Sequence, residues 1–503
     1  MTVSATAAAA PVAASGDQGL ITFAALLTIY MQAVNISLPN AALLHIQGAL
    51  SMSDDEVGWI FTSYIAANII TLPMTRSLAG RYGRKFVHQA AIVVFALGLV
   101  LVTLATTPLQ FVFARIVQGL SGGLLAPLSL AILLDVQPPE RQARVSLAST
   151  VISMLGISSG PAIGGWLSEY HGWQSLFFVS LPLAGFIFLT MAFLLPEKKP
   201  AASPPFDFFG MACLLLALIG LQALLDRGER MDWFDSAEIW VDAIAVILGL
   251  SLYLGHVAAA RTHFLNKALL ADRNFVFATV MYFAFGFVLL PTLALTSPML
   301  DELLNYPSDT TGYMTIPRGV GLVGALILMN WAPARIDYRL FIAGGMAVVV
   351  FANSLMLGYS PLMDRRLVLT AFLLQGTGLG IVMPALTKAA FGTLDPQLRP
   401  EGTMLFNLSR LYGSTIGIAV VLIFFYDNLQ AMHLALAKDL IPYRAAAHAV
   451  ASISVPDLAR LNEEVTGQAA VVSIIGQFKI LMFAMLVASP LVLFLRKPVD
   501  KEA

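Results

Sequence analysis

The chain has 503 residues, of which 58% are hydrophobic and 12% charged, with a formal net charge of −1. A soluble domain carries roughly 25% charged residues, so this composition, with a mean hydropathy of +0.79, describes an integral membrane protein and leaves no room for a large soluble domain. A near-neutral total gives no reason to expect nucleic acid as a partner; in a membrane protein the placement of charge is what informs.

Fourteen apolar runs recur, each long enough to cross a hydrocarbon layer about 30 Å thick as a helix. Residues 1–19 are small and polar, and no Lys or Arg precedes Arg76, which predicts a disordered tail and not a signal peptide, since a signal peptide needs a basic start. Spans are predicted at 20–44, 56–76, 86–106, 108–134, 143–168 and 173–195, giving a six-helix bundle over 20–195. A Pro-rich linker at 196–206 leads to an inserted pair over 207–258, with spans at 207–226 and 236–258. A second bundle over 273–495 has spans at 273–299, 310–332, 338–358, 364–390, 399–425 and 472–495. It includes a long outer loop at 426–471, holding His433 and His448, and is followed by a tail at 496–503. An even number of crossings puts both termini on one side. Of the 29 Lys and Arg, 18 fall in loops on that side, 7 in the opposite loops and 4 within spans, so both termini are expected in the cytoplasm. The single cysteine, Cys213, reads as packing.

Polar residues interrupt the apolar runs at Tyr30, Gln32 and Asn35 in the first span, Tyr64 and Asn68 in the second, Gln118 in the fourth, Tyr282 in the ninth and Gln375 in the twelfth. A few placed polar groups suit a path for lipophilic ligands, and equally suit hydrogen bonds between helices. Arg81, Gly83, Arg84 and Lys85 make a basic turn between the second and third spans, with Asp337 at the related turn of the second half; the positive-inside rule alone accounts for such charge. Arg115 is different, because a guanidinium several residues inside an apolar helix is costly and by default functional. Arg318 and Arg410 are further buried cations by position. In the fifth span, GISSGPAIGG sets Gly156, Gly160 and Gly164 four residues apart, with Pro161 and Gly165 among them. Small residues at that spacing let helix backbones approach, and the proline kinks the helix, so the stretch is expected to act as hinge and seal between bundles.

The chain also repeats itself. Gln118, Gly119, Gly123 and Pro127 recur as Gln375, Gly376, Gly380 and Pro384, while Gly156 and Gly160 recur as Gly413 and Gly417, all at an offset of 257 residues. Six landmarks at one offset indicate two halves on one plan. Eight intervening helices preserve direction across the membrane, so the repeat is parallel.

These motifs resemble those of the drug:proton antiporters of the major facilitator superfamily. GISSGPAIGG matches their antiporter signature, and Trp166, Gly172, Trp173, Phe177 and Pro182 continue it in the manner of the fourteen-helix branch. Asn35-Ile-Ser-Leu-Pro39 resembles the branch's first-helix signature, and Leu78-Ala-Gly-Arg81-Tyr-Gly83-Arg84-Lys85 resembles the loop between helices two and three. Arg115-Ile-Val-Gln118-Gly119 resembles the helix-four arginine motif, and Asn407-Leu-Ser-Arg410-Leu-Tyr-Gly413 the thirteenth-helix motif. The outer loop and last helix look like those of pumps that work with a periplasmic adaptor.

The resemblance implies an all-α major facilitator fold of fourteen transmembrane helices in an inner membrane, two six-helix bundles plus the inserted pair. It implies efflux of small amphipathic compounds by alternating access, driven by the proton gradient without a cofactor, and an adaptor and outer-membrane channel as partners. It gives the seal to Gly156, Gly160, Pro161, Gly164 and Gly165, and coupling to Arg115; Arg318 and Arg410, buried cations by position, are expected to share in the coupling. The substrate path falls to the polar positions named above, together with Asn407.

Some positions depart from the pattern. Where the family carries a first-helix aspartate this chain has Tyr30, its threonine is Gln32, and the inner loop has Gly80 for an aspartate and Arg76 for a glycine. No Asp or Glu sits centrally in the first six spans. Asp135, Asp301, Glu302 and Glu401 lie near span ends, and Asp226 and Asp242 in the inserted pair. Without the first-helix acid, a cationic drug loses its usual counter-charge, which favours neutral or anionic lipophiles. Its absence also keeps an uncoupled transporter or a sensor in play. There is no HExxH, no Cys/His metal spacing and no P-loop, so neither a metalloenzyme nor an ATP-driven pump is expected.

Overall fold

Backbone in hydrocarbon must satisfy its own hydrogen bonds, and a helix does so within one segment; among the described residues every element is helical. The computed structural model describes residues 15–53, 56–197, 207–228, 231–259, 266–331, 336–438 and 455–496. Of the expected disordered tail, residues 15–19 are already helical. Residues 1–14, 198–206 of the linker, 439–454 of the outer loop with His448, and 497–503 of the last tail lie outside the described residues.

Helix 1 runs Ser15–Ser37 and, past Pro39, a 3-10 turn at Asn40–Ala42 carries it into Leu43–Leu50. Helix 2 is composite, Trp59–Thr71 and Thr75–Tyr82 around a 3-10 turn at Leu72–Met74, where Pro73 withholds a donor. Helix 3 (Arg84–Thr103) starts one residue later, because Gly83 turns the chain at φ 88°, a value L side chains rarely adopt. Helices 4 (Pro108–Val136), 5 (Pro139–His171) and 6 (Ser175–Leu194) complete the first half. Helices 7 (Phe208–Arg227) and 8 (Ala237–Ala259) form the inserted pair. The second half holds helices 9 (Arg273–Asp301), 10 (Ser308–Asn330), 11 (Tyr338–Met356), 12 (Arg365–Gly392), 13 (Arg399–Ala437) and 14 (Val455–Ala488). Thirteen of these segments are long and apolar enough by themselves to cross a membrane; helix 2, interrupted at Leu72–Met74, is not among them, since its pieces have 13 and 8 residues.

The two halves pack alike. Helix 4 lies on helices 2 and 3 and helix 5 on helix 1, as helix 12 lies on helices 10 and 11 and helix 13 on helix 9. The landmark glycines explain the match. A Cβ on Gly119 would stand 2.4 Å from the carbonyl oxygen of Tyr64 on helix 2, and one on Gly376 1.9 Å from that of Arg318 on helix 10. On the next helix pair, Gly156 abuts helix 1 and Gly413 abuts helix 9. Helices 7 and 8 pack on each other, with helix 7 against helix 13. Helix 8 turns Trp240, Val241, Ile244 and Ile247 outward, as a lipid-facing helix does.

One end of the bundle gathers the starts of odd helices and the ends of even ones. Gln137 donates to Thr22 Oγ1 (2.8 Å), Asn274 Nδ2 donates to the Arg496 carbonyl (2.8 Å), and Arg76 meets Glu401 at 3.8 Å across the halves. We call this the terminal end and its opposite the distal end. At the distal end helices 13 and 14 do not stop where the apolar runs stop. Helix 13 has 39 residues, about 58 Å at ~1.5 Å per residue, and His433 meets Asn462 of helix 14 at 3.2 Å. The flanks of the expected 426–471 loop are therefore helix.

The repeat has a direct geometric signature. Ser297 Oγ donates to Asn40 Oδ1 at 2.9 Å, and these two residues are 257 positions apart. Repeat mates related by a two-fold rotation meet only on its axis, so the pseudo-dyad passes between Asn40 and Ser297.

Candidate functional site

Arg115 is fully buried. Its Nε donates to the Ile60 carbonyl (3.2 Å), and Nη1 donates to the Asn35 carbonyl (3.2 Å) and Gln118 Oε1 (2.7 Å). The guanidinium lies over the rings of Tyr64 (4.3 Å) and Phe177 (5.7 Å), placements worth more when desolvated. Nη2 has no hydrogen-bond partner. Gln118 Nε2 donates on to Asn35 Oδ1 (3.0 Å), whose Nδ2 reaches Ser180 Oγ (3.1 Å). Beside this chain Gln32 donates to Asn68 Oδ1 (3.3 Å), and the Tyr64 hydroxyl donates to the Gln32 carbonyl (3.3 Å).

The second half builds a counterpart around the repeat mate of Gln118. Gln375 Nε2 donates to Thr292 Oγ1 (3.1 Å) and Asn353 Oδ1 (3.1 Å), and Thr292 is the repeat mate of Asn35. Here the arginine comes from another helix: Arg318 of helix 10 donates through Nε to Gln375 Oε1 (2.9 Å) and through Nη2 to the Leu289 carbonyl. Each half thus holds a buried guanidinium on the same glutamine. Among the described residues no carboxylate is within ion-pair distance of either arginine.

On the axis, between these two networks, lies a narrow cavity with barely room for a water molecule. Ile36 and Leu293 line it as one repeat pair, Ser37 and Ala294 as another. Asn40 and Phe61 from the first half and Leu290 and Ile418 from the second complete the wall.

Distal to the cavity the halves are joined by several contacts. Besides Asn40 and Ser297, His45 Nδ1 and Ser308 Oγ are 3.2 Å apart, Glu169 accepts from the Ser308 backbone N–H (3.3 Å), and Tyr170 donates to Asp309 (3.0 Å). A Cβ on Gly165 would stand 2.1 Å from the Ser308 carbonyl oxygen, and one on Gly312 2.4 Å from that of Pro161. Gly165 and Pro161 therefore face the other half. Gly156, Gly160 and Gly164 instead lie against Tyr30, Ser37 and Leu38 of helix 1, inside their own half.

The expected path residues are mostly turned away from open space. Gln32, Asn35, Tyr64, Asn68, Gln118 and Gln375 are buried in the two networks, and Tyr282 is buried with its ring stacked on Phe406 at 3.9 Å. Tyr30 is half-buried, with its hydroxyl 3.0 Å from Ser159 Oγ, and Asn407 is half-buried on its own helix, donating to Thr403. Arg410 is half-buried beside Tyr282. In the terminal-end turn Arg84 pairs with Asp135 at the end of helix 4, Arg81 lies over Tyr82, and Asp337 caps helix 11 by accepting from the Arg339 N–H (3.1 Å). Lys85, on the first turn of helix 3, is half-buried. The cavity wall itself was missed, since Ile36, Phe61 and Leu293 are apolar residues in apolar helices; applying the 257-residue offset to Asn40 was the available signal.

Two stretches, 119–123 and 156–160, have the G-x-S-x-G spacing of a serine hydrolase. Both lie mid-helix: Ser121 Oγ donates to the Gln118 carbonyl of its own helix, and the Ser158 side chain is packed against Gly319 of helix 10. That is not the strand-to-helix elbow such a nucleophile needs.

Two parallel halves about a dyad, with a cavity on it, are the architecture of a transporter. A model of the Major Facilitator Superfamily matches residues 20–418, from helix 1 into helix 13. The chain belongs to the Major Facilitator Superfamily. It is similar to the probable multidrug resistance protein EmrY of Escherichia coli K12, 25% identical over 501 residues and 96% of each chain. It is also similar to the fatty acid resistance protein FarB of Neisseria gonorrhoeae, 26% identical over 428 residues, 85% of this chain and 84% of that one. The multidrug export protein EmrB of Escherichia coli K12 is 25% identical over 445 residues, 86% and 85% of the two chains. Among solved structures the nucleoside transporter NupG superposes with a TM-score of 0.61 at 10% identity, over 93% of this chain and 99% of that one. A bacterial homologue of the human lysosomal transporter Spinster gives 0.59 at 14% identity, over 97% and 100%. At those identities the likeness concerns the fold alone. This facilitator is a multi-pass membrane transporter with multidrug-efflux relatives.

Proposed function

We propose that this facilitator exports small amphipathic compounds from the cell in exchange for protons, by alternating access about the dyad. The reading is carried by one asymmetry: the halves are hydrogen-bonded across the axis at the distal end, while at the terminal end they share the partly exposed Arg76–Glu401 pair. An exposed ion pair contributes about 0–1 kcal/mol, so the terminal end is the side that opens at least cost in this conformation. With both termini cytoplasmic and the membrane an inner membrane, that side faces the cytoplasm and the distal end faces out. The names of the multidrug and fatty-acid resistance relatives support export of lipophilic compounds.

Among the described residues the walls of the central space carry no carboxylate and are backed by arginines, so a coupling proton has to be taken by an acid nearer the ends. Asp301, buried and accepting from Thr311, is the leading candidate. In a host with two membranes, the projecting hairpin of helices 13 and 14 is where a periplasmic adaptor, itself joined to an outer-membrane channel, docks. Cross-linking from His433 tests this, and no adduct with a co-expressed adaptor would refute it.

The missing central acid also favours a second reading, uncoupled transport. Proteoliposomes with an acid interior and a pH dye separate the two, using a panel of cationic, neutral and anionic lipophiles. Protein-dependent proton release on adding a compound, lost in Asp301→Asn, is expected. Compound flux with no proton movement in the native protein would establish the uncoupled carrier instead.

A further inference from the structure

In this conformation the dyad cavity is barely water-sized and mostly apolar, so a ligand enters it only as the halves part. The charge behind its walls is of one sign. Arg115 donates to the carbonyls of Asn35 and Ile60, each the chain neighbour of a wall residue, Ile36 and Phe61. Arg318 donates to the carbonyl of Leu289, the neighbour of the wall residue Leu290. Two guanidiniums therefore stand one residue behind the wall, one in each half. Their other partners, Gln118 and Gln375, are neutral dipoles. Described carboxylates in the two halves lie toward the ends, where Asp135 pairs with Arg84, Glu401 with Arg76, and Asp301 accepts from Thr311; Asp242 lies in the inserted pair. Apolar walls screen charge poorly, so the positive field of buried, uncompensated cations reaches into the space they enclose.

We propose that the dyad cavity selects organic anions over cations, so that the exported class is amphipathic compounds bearing an acidic group. This rests on the export reading above and narrows it. Arg115 and Arg318 are 0% and 2% exposed, so they act on the ligand through their field and not by a bidentate grip, which permits varied shapes while fixing the sign of charge.

The test is equilibrium binding to the purified full-length protein in nanodiscs, with three probes on one apolar body: 1-naphthalenesulfonate, 1-naphthalenesulfonamide and trimethyl(1-naphthyl)ammonium. The sulfonate is expected to bind at least tenfold tighter than the ammonium, with the sulfonamide between. Arg318→Gln is expected to narrow that ratio. Ala294→Asp, or Ile36→Glu if the first does not fold, is expected to reverse it, and newly acquired ammonium binding cannot come from misfolding. Ammonium binding as tight as the sulfonate in the native protein would overturn the proposal. Flux in proteoliposomes separates this from the export reading. Sulfonate that binds but is not moved removes export and leaves the selectivity, whereas ammonium moved in exchange for protons removes the selectivity and leaves export.

Discussion

A buried guanidinium without a carboxylate is expensive, and Arg115 is kept in place by geometry as much as by charge. Its fork reaches three acceptors on three different helices, the carbonyls of Asn35 and Ile60 and the side chain of Gln118. Arg115→Lys keeps the charge and loses the fork, leaving buried acceptors unpaired at about 1–3 kcal/mol each. A lower unfolding midpoint in detergent is expected, with the preference for anionic probes retained; an unchanged midpoint would mean that the fork is not what holds helices 1, 2 and 4 together. The sequence made Arg115 conspicuous, because charge in an apolar run is rare. It could not tell a polar residue that lines a path from one that ties helices, since both are polar groups on apolar helices. Gln32, Tyr64 and Gln118 are ties, and the wall fell to residues such as Ile36 and Leu293, which nothing distinguishes along the chain.

Glycine spacing shows the same division for whole helices. Gly156, Gly160 and Gly164 were legible as a ridge for close packing, and the ridge is real: a Cβ on Gly164 would stand 2.0 Å from the Leu38 carbonyl oxygen. Spacing gives the closeness of a neighbour but not its identity, so the ridge read as a contact between halves is instead the seat of helix 1 on helix 5. Gly165, about 100° further round the helix, makes the contact with Ser308. Gly164→Ala is expected to cut the yield of folded protein sharply in size-exclusion profiles. Gly185→Ala, with nothing within 4 Å of the added carbon, is expected to leave the yield unchanged or to raise stability by up to about 1 kcal/mol. Equal yields for the two would show that backbone approach does not limit folding. The ends of helices 13 and 14 were misread for another reason. Residues 426–437 hold three Ala and three Leu and lack Gly and Pro, so falling hydropathy marks where the chain leaves the membrane while the helix itself goes on.

At the scale of the molecule, the 257-residue offset was the most informative feature of the chain. Six landmarks fixed it, and it carries through to Thr292 in the place of Asn35 and to the meeting of Asn40 with Ser297. It conveyed symmetry but not state; that the distal end is the joined one depends on side chains such as Glu169 and Tyr170 meeting partners in the other half. If transport proceeds by alternating access, the joined pair has to part in every cycle. The direct test is Asn40→Cys with Ser297→Cys in a Cys213→Ser background, assayed for flux in proteoliposomes before and after oxidation. Flux is expected to be lost when the pair is oxidised and to return on reduction, while each single variant runs unaffected by oxidant. Full flux through the cross-linked protein would contradict it.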